Sequence, residues 1–168
     1  MAETSVQALL GSIYSGHRQG LFSLALTITR NRHQAEDAVH EAFVRLCKRP
    51  HMAEEPVAYV YRAVRNAAID QTRKRVRTET PEPIFAETAA DRKPAAEEDY
   101  LASERNAVIQ EALEDLSAPQ RQAVVMKVFA GLTFDQIARV LGEPLSTVSS
   151  RYRRALEKLK DSVAQMLL

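Results

Sequence analysis

Residues 133–160, TFDQIARVLGEPLSTVSSRYRRALEKLK, decide the fold of this chain. Thr133 and Gln136 have the spacing of a capping box, and the apolar residues after them recur at helical spacing. Gly142 stands where a left-handed C-cap is needed, and Ser146 is expected to cap a second helix. That second helix should bury a stripe made of Val148, Tyr152, Ala155, Leu156 and Leu159. The pattern predicts a helix-turn-helix, whose second helix enters the major groove of DNA.

The polar face of this second helix carries groups that bind DNA. Arginine can bond guanine edges with two donors, serine and threonine can bond bases or phosphates, and a helix N-terminus favours phosphate. The candidate DNA-binding residues are Thr147, Ser149, Ser150, Arg151, Arg153 and Arg154. The alternative interpretation of these residues alone is a solvated basic helix inside a helical bundle.

Composition narrows the class of protein. A chain of 168 residues is long enough for one ordinary domain or two small ones. No run approaches the ~20 apolar residues of a membrane span, and the N-terminus lacks the pattern of a signal peptide. The single cysteine, Cys47, excludes an internal disulfide and fits a reducing compartment. We therefore expect a cytoplasmic protein with no membrane insertion.

Charge is distributed unevenly along the chain. The net charge is +5 over residues 1–77, −5 over 78–99 and +1 over 100–168. The middle stretch contains prolines and acids with little apolar periodicity, which is typical of a flexible linker. We therefore predict two domains, 1–77 and 100–168, joined by a linker at 78–99. The total charge of +1 argues against tight unassisted DNA binding, because phosphate neutralisation supplies most non-specific affinity.

The periodicity predicts an all-α fold, with three helices in the first domain and four in the second. Residues 5–30 are helical, as one bent helix or two, and further helices cover about 33–48 and the stretch from Pro56. The second domain starts with a helix over 100–116, and a capping box of Ser117 and Gln120 opens the next helix, which Gly131 ends. The inward-facing residues predicted for these two helices include Ile109, Val124, Val125, Val128 and Phe129.

The second helix of the first domain has an acidic face, formed by Glu36, Asp37, His40 and Glu41. Such a face could dock on a basic partner helix, and the alternative is an ordinary solvated face. A metal site made of His33, Glu36, His40 and Cys47 is a further alternative, although this spacing matches no compact ligand motif.

The third helix combines an apolar side with a basic surface. Its predicted buried side is Val57, Val60, Tyr61, Val64, Ala67 and Ala68. Its other surfaces carry Arg62, Arg65, Asn66, Asp70, Arg73, Lys74, Arg75 and Arg77. Basic groups, an amide and a nearby aromatic ring suit single-stranded or distorted DNA. On these residues alone, a basic solvated helix end is an equally good interpretation.

Three blocks in this order resemble the extracytoplasmic-function (ECF) subfamily of bacterial RNA polymerase sigma factors. They are AEDAVHEAFVRLCK (35–48), EPVAYVYRAVRNAAIDQTRKR (55–75) and LSAPQRQAVVMKVFAGLTFDQIARVLGEPLSTVSSRYRRALEKL (116–159). The resemblance covers nearly the whole chain except the linker. The chain departs from the family in having no tryptophan near Ala58 and Tyr59, and in carrying Ser146 and Ser149 where glycine and a basic residue are common.

The resemblance implies a role for each block. The first block would dock on the clamp helices of the polymerase β′ subunit, which implicates the acidic face around Asp37. The second would open and read the promoter element near −10 and hold a flipped base, with strand-facing positions at Tyr61, Arg62, Asn66 and Ile69 and phosphate contacts at Arg73, Lys74 and Arg75. The third would read the element near −35 through Ser149, Ser150, Arg153 and Arg154, with Arg151 toward the backbone.

The resulting hypothesis is a sigma factor rather than an enzyme, with no cofactor and no metal. Its expected partners are core RNA polymerase, through the β′ clamp helices and the β subunit, promoter DNA, and a separate anti-sigma protein. A stand-alone helix-turn-helix regulator that binds operator DNA as a dimer is the main alternative. A metal-dependent helical enzyme is the third.

Overall fold

A computed structural model describes residues 2–76 and 107–168 of the chain, with the side chains of residues 2–4 and 75–76 left out. Its helices are α1 (Ala2–Thr29), α2 (Arg32–Cys47), α3 (Pro56–Val76), α4 (107–114), α5 (Ala118–Val124), which continues into a π-helical turn (Val125–Phe129), α6 (Phe134–Leu141) and α7 (Leu145–Met166). No strand occurs in these residues, so the all-α prediction is confirmed. The predicted linker at 78–99, the start of the fourth helix at residue 100, Arg77 and the side chain of Arg75 lie outside the described residues.

Local capping signals set most of the helix ends. Ser117 and Thr133 each form the predicted capping box, with Gln120 and Gln136 as the reciprocal partners. Gly142 ends α6 in the left-handed conformation at φ 66° and ψ 35°, which glycine adopts without the steric cost that a Cβ brings. These three positions confirm the turn geometry that the sequence indicates.

The predicted cap at Ser146 is wrong. Helix α7 begins one residue earlier, at Leu145, and Pro144 is the N-cap residue with no side-chain cap bond. The proline has an extended backbone (φ −61°, ψ 146°), and its carbonyl accepts the first helical bond from the amide of Val148. A proline can take this position because its fixed φ is compatible with the extended N-cap conformation. Ser146 therefore lies inside the first turn.

Helix α1 is one continuous helix, so its three glycines do not divide it into two. Gly11 and Gly16 lie in exposed positions with open space around them, whereas Gly20 is buried. Arg30 follows the helix with φ 53°, a left-handed conformation that is uncommon for a residue other than glycine. Asn31 then caps α2 by accepting a bond from the amide of Gln34.

The π-helical turn overturns part of the predicted stripe in the second domain. Val124 and Val125 are buried as expected, but Val128 and Phe129 are 57% and 52% exposed. A π turn has a longer hydrogen-bond repeat than an α-helix, so Val128 and Phe129, which lie inside the turn, no longer follow the 3.6-residue stripe. Ile109 and Leu156, also predicted to face inward, are 45% and 41% exposed.

One apolar core extends through both domains. It contains residues of α1, α2 and α3 together with Met126, Leu132, Ile137, Val140 and Val148 of the second domain. A smaller core inside the second domain joins Leu113, Leu116, Val124 and Ala155. Helices α3 and α6 contact each other, as do α1 and the π-helical turn. The two domains are therefore packed together in this structure.

Candidate nucleic-acid and partner interfaces

The helix-turn-helix is held together by a small apolar and aromatic cluster. Val148 and Ala155 of α7 are fully buried, and the rings of Phe134 and Tyr152 meet edge to face at a centroid distance of 5.3 Å. The Lys127 ammonium lies 4.6 Å from the centre of the Phe134 ring, a cation–π contact that covers the outer side of the cluster. These contacts fix α7 against α6 and leave the opposite face of α7 free.

The free face of α7 carries the predicted DNA-binding side chains. Thr147, Ser149, Arg153 and Arg154 are exposed, and Ser150 is half-buried. Their donors lie on the first turns of the helix, where a helix in the major groove presents its side chains to base edges. Four of the predicted DNA-binding side chains are thus exposed on the first turns of α7, and their role in recognition stays a prediction.

Arg151 differs from its neighbours. Its guanidinium forms an ion pair with Glu143, in the turn before α7, and is only partly exposed. Arg151 also lies in a shallow polar hollow, whose lining includes Ser117 and Gln120 from the start of α5 and Thr147, Ser150 and Arg154 from α7. An arginine held by an ion pair beside hydroxyl and amide groups suits a phosphate better than a base edge, so Arg151 is placed for a backbone contact.

The predicted strand-facing residues of α3 fall into two groups. Arg62, Asn66 and Arg73 are exposed and Ile69 is half-buried; their spacing of three or four residues places them along one side of the helix. Lys74 is exposed next to them. This exposed stripe of α3 has the composition expected of a surface for unpaired DNA.

Tyr61 does not belong to that stripe. It is fully buried, its hydroxyl oxygen lies 3.0 Å from Nδ1 of His17, and the two rings meet edge to face. Burial raises the pKa of the Tyr61 hydroxyl above its ordinary value. The prediction that Tyr61 is buried is confirmed. The prediction that it faces a DNA strand does not fit this structure, because no part of the residue is accessible.

Arg65 is a residue whose role the sequence does not reveal. Its Nε donates a 2.8 Å hydrogen bond to Oε1 of Gln122, which lies 57 positions later in α5 and is itself buried. Burial lowers the pKa of the Arg65 guanidinium, and the charge of nearby Glu143 partly opposes that shift. Arg65 therefore faces the second domain and not solvent; only its helical position, four residues after Tyr61, hints at this.

The acidic face of α2 is partly neutralised by its own helix. Glu36 lies 3.4 Å from Nε of Arg32, and Glu41 lies 2.5 Å from Arg45 while also accepting a bond from Gln71. Asp37 and His40 are exposed, and within the described part of the chain no cation pairs with Asp37. Asp37 is thus the carboxylate of this face that is best placed to attract a basic partner.

The alternative metal site would use four residues of α2. His33, Glu36, His40 and Cys47 are all exposed on this helix. Over residues 2–76 and 107–168, no group of three or more histidine, cysteine, aspartate or glutamate side chains could hold a metal ion. In the same two ranges, no helix combines the length and apolar character that crossing a membrane requires.

Family models identify both domains. The model "Sigma-70 region 2" matches residues 13–78, and "Sigma-70, region 4" matches residues 106–159. Together they cover most of the chain and define a two-domain protein of the sigma-70 class.

Curated relatives refine that class. The ECF RNA polymerase sigma factor SigE of Mycolicibacterium smegmatis is 32% identical over 154 residues, covering 89% of this chain and 59% of the relative. SigL of Mycobacterium tuberculosis, also an ECF sigma factor, is 28% identical over 98% of this chain and 94% of its own length. The chain belongs to the ECF subfamily of sigma-70 factors.

Two solved structures share the fold. The sigma factor RpoE of Bartonella quintana, in complex with the anti-sigma factor NepR, has a TM-score of 0.61 at 20% identity over 96% of this chain and 95% of its own. CnrH, in complex with the cytosolic domain of CnrY, has a TM-score of 0.63 at 19% identity over 98% of this chain and 93% of its own.

Proposed function

We propose that this chain binds core RNA polymerase in the bacterial cytoplasm and directs transcription initiation at specific promoters. The observation that carries this proposal is the exposed stripe of Thr147, Ser149, Arg153 and Arg154 on a well-packed helix-turn-helix, on the same chain as a second basic stripe on α3. Two separate nucleic-acid surfaces on one short chain suit a protein that reads two promoter elements. The protein acts by binding, without enzymatic activity or a cofactor.

The stripe on α7 is proposed to read the −35 element as a duplex. Ser149, Ser150, Arg153 and Arg154 would contact base edges, while Arg151 and Thr147 would contact the phosphate backbone beside the polar hollow. The Arg151–Glu143 ion pair supports this division, because it restrains Arg151 near the turn. A good bidentate contact from arginine to guanine discriminates by about 1–3 kcal/mol.

The stripe on α3 is proposed to recognise and melt the −10 element. Arg62, Asn66 and Ile69 would face the bases, and Arg73, Lys74 and Arg75 would contact phosphates. Holding a base outside the stack costs a few kcal/mol, which polymerase binding and these contacts together would supply. Tyr61 is buried and its hydroxyl lies against His17 of the same domain, so Tyr61 could join this surface only after a rearrangement that exposes its ring.

The acidic face of α2, formed by Glu36, Asp37, His40 and Glu41, is proposed to dock on the β′ clamp helices. The second domain would bind the β subunit. With a net charge of +1 the chain gains little from phosphate neutralisation on its own, so the polymerase would provide the missing affinity. Because the structural neighbours are complexes with NepR and CnrY, we also propose that a separate anti-sigma protein binds this chain.

Binding to core RNA polymerase tests the proposal. The Asp37→Lys/Glu41→Lys double variant should bind core enzyme at least tenfold more weakly than the wild type, because it reverses charge on the docking face. Glu54→Lys is the matched control, since Glu54 is an exposed carboxylate of the same domain outside α2 and should leave binding unchanged.

Three outcomes of this experiment have different meanings. Equal binding by the double variant and the wild type would agree with the proposed function but would show that the docking face lies elsewhere on the chain. Loss of binding with Glu54→Lys as well would mean that charge in general matters and not this face. A wild-type chain that sediments as a dimer, binds duplex DNA alone and ignores polymerase would be a stand-alone regulator.

A further inference from the structure

The contact between the two domains has the packing of a protein core. Buried apolar residues of the second domain, including Met126, Leu132 and Ile137, belong to the same cluster as the core of α1–α3. Gly20 of α1 lies close to both Tyr61 of α3 and Ala130 of the second domain. A Cβ added at Gly20 would collide with the Tyr61 hydroxyl and would lie 2.9 Å from Cα of Ala130.

A buried polar bond anchors the same contact. The Arg65 guanidinium, half-buried on α3, donates to Gln122 across the domain boundary at 2.8 Å. Gln122 is 8% exposed, so the bond is largely shielded from water. If either partner were removed, a buried polar group would lose its hydrogen bond, and such groups are costly to leave unsatisfied. The Arg65–Gln122 bond is thus positioned to favour the packed arrangement over a separated one.

This arrangement conflicts with simultaneous reading of two promoter elements. Elements near −10 and −35 lie roughly 25 base pairs apart, which at about 3.4 Å per base pair amounts to roughly 85 Å of duplex. In the structure, α3 contacts α6 directly. The two reading surfaces cannot reach both elements unless the domains separate, and the 30 residues at 77–106 can span at most ~100 Å of separation.

We propose that the packed arrangement is a self-inhibited state of the free chain, with the Arg65–Gln122 bond as its latch. In this state the second domain covers the side of α3 that carries Arg65, and leaves the neighbouring stripe of Arg62 and Asn66 exposed. Engagement of the polymerase and of both promoter elements requires the latch to open. The inhibitory consequence rests on the proposed function, whereas the latch itself is a property of the free protein.

Substitutions at Gln122 can shift the latch in opposite directions. Gln122→Ala removes the acceptor and should lower the ratio of closed to open molecules by on the order of tenfold, as expected for a lost bond to a charged group. Gln122→Glu keeps the shape and places a carboxylate at Arg65, so it should raise that ratio, since charge-assisted bonds are stronger. The exchange Arg65→Gln/Gln122→Arg should restore closure, and Gln165→Ala, at an exposed position near the end of α7, is the control.

The first measurement is fluorescence resonance energy transfer between two dyes on the full free chain, without polymerase or DNA. One dye is attached to the exposed Cys47 and the other to a cysteine introduced at the exposed Lys160. Transfer should fall in Gln122→Ala and rise or saturate in Gln122→Glu, with circular dichroism confirming that each variant is folded. Unchanged transfer in Gln122→Ala, or a fall of equal size in Gln165→Ala, would overturn the latch.

The second readout is promoter-dependent transcription with unlabelled chain and core polymerase. When only a fraction of molecules is competent, the apparent dissociation constant rises in inverse proportion to that fraction. Gln122→Ala should therefore reach half-maximal transcription at up to tenfold lower concentration, and Gln122→Glu should need more. If transfer changes but transcription does not, self-inhibition is wrong although the latch exists. If the wild type never binds polymerase, the proposed function fails independently of the transfer result.

Discussion

Gly16 and Gly142 allow a test of backbone conformation that is free of packing effects. An added Cβ meets nothing within 4 Å at either position. Gly16 lies inside α1, whereas Gly142 ends α6 with φ 66°. The same substitution, glycine to alanine, should therefore have opposite effects on the free energy of unfolding.

The expected magnitudes follow from the two backbone conformations. Gly16→Ala should stabilise the protein by about 0.5–1 kcal/mol, because glycine in a helix interior loses more conformational freedom than alanine. Gly142→Ala should destabilise it by about 1–2 kcal/mol, the cost of holding a Cβ in the left-handed region. The two variants should thus differ by about 1.5–3 kcal/mol.

Gly20→Ala completes the series by adding a steric effect to the helical gain. Its new methyl group would collide with the Tyr61 hydroxyl and with the backbone of Ala130. Forcing an extra carbon into a packed contact costs about 1–3 kcal/mol, which exceeds or cancels the gain expected at Gly16. Gly20→Ala should therefore be less stable than Gly16→Ala although both positions are helical.

Thermal and urea unfolding followed by circular dichroism measures all three variants. In a chain of this size, 1 kcal/mol corresponds to about 2–4 °C in Tm, so Gly16→Ala and Gly142→Ala should move in opposite directions by several degrees in total. If both shifted Tm the same way, the conformational reasoning would be refuted. If Gly20→Ala matched Gly16→Ala, the close contact among Gly20, Tyr61 and Ala130 would be wrong.

Two further predictions concern the second domain. Thr133→Ala should lower the free energy of unfolding by about 1 kcal/mol in the same assay because it removes an N-cap. Ser146→Ala should lower it little because Pro144 occupies the cap position. Equal losses in the two variants would indicate that Ser146 does act as a cap. In promoter binding by the polymerase complex, Arg154→Ala should weaken binding to the cognate −35 sequence by about 1–3 kcal/mol and relax discrimination at one base. Arg151→Ala should weaken binding to all sequences alike. Unchanged discrimination in Arg154→Ala would exclude Arg154 from the reading face.

Local chemistry explains which parts of the fold could be predicted from the sequence. Capping boxes at Ser117 and Thr133 and the left-handed Gly142 depend on residues within four positions, and the structure confirms each. The wrong predictions are those in which contacts between residues far apart in the sequence determine which side chains are buried. The exposure of Val128 and Phe129 follows from a π-helical turn that packs against α1, and no local pattern distinguishes such a turn from an ordinary helix.

The same limit applies to the candidate sites. Exposed side chains on α7 could be assigned from helical periodicity, because a single helix determines which residues share a face. Arg65 could not, because its role depends on Gln122 in another domain, and an arginine on a basic helix looks like any other phosphate contact. Arg65 lies three residues after Arg62 on α3. The Arg65 side chain bonds to Gln122 of the second domain, whereas Arg62 is exposed to solvent.

This separation gives α3 three functions on three sides. One side supplies the core through residues such as Val60, Val64 and Tyr61, the next holds the second domain through Arg65, and the last presents Arg62 to solvent. Salt-dependent affinity for DNA scales with the number of phosphates that basic residues neutralise. On the proposed function, the closed arrangement would withhold Arg65 and keep the two reading surfaces adjacent, and the net charge of +1 would add little affinity for phosphates. Weak promoter binding by the free chain would then have two physical origins, its small net charge and the contact between the domains, and binding to the polymerase would offset both.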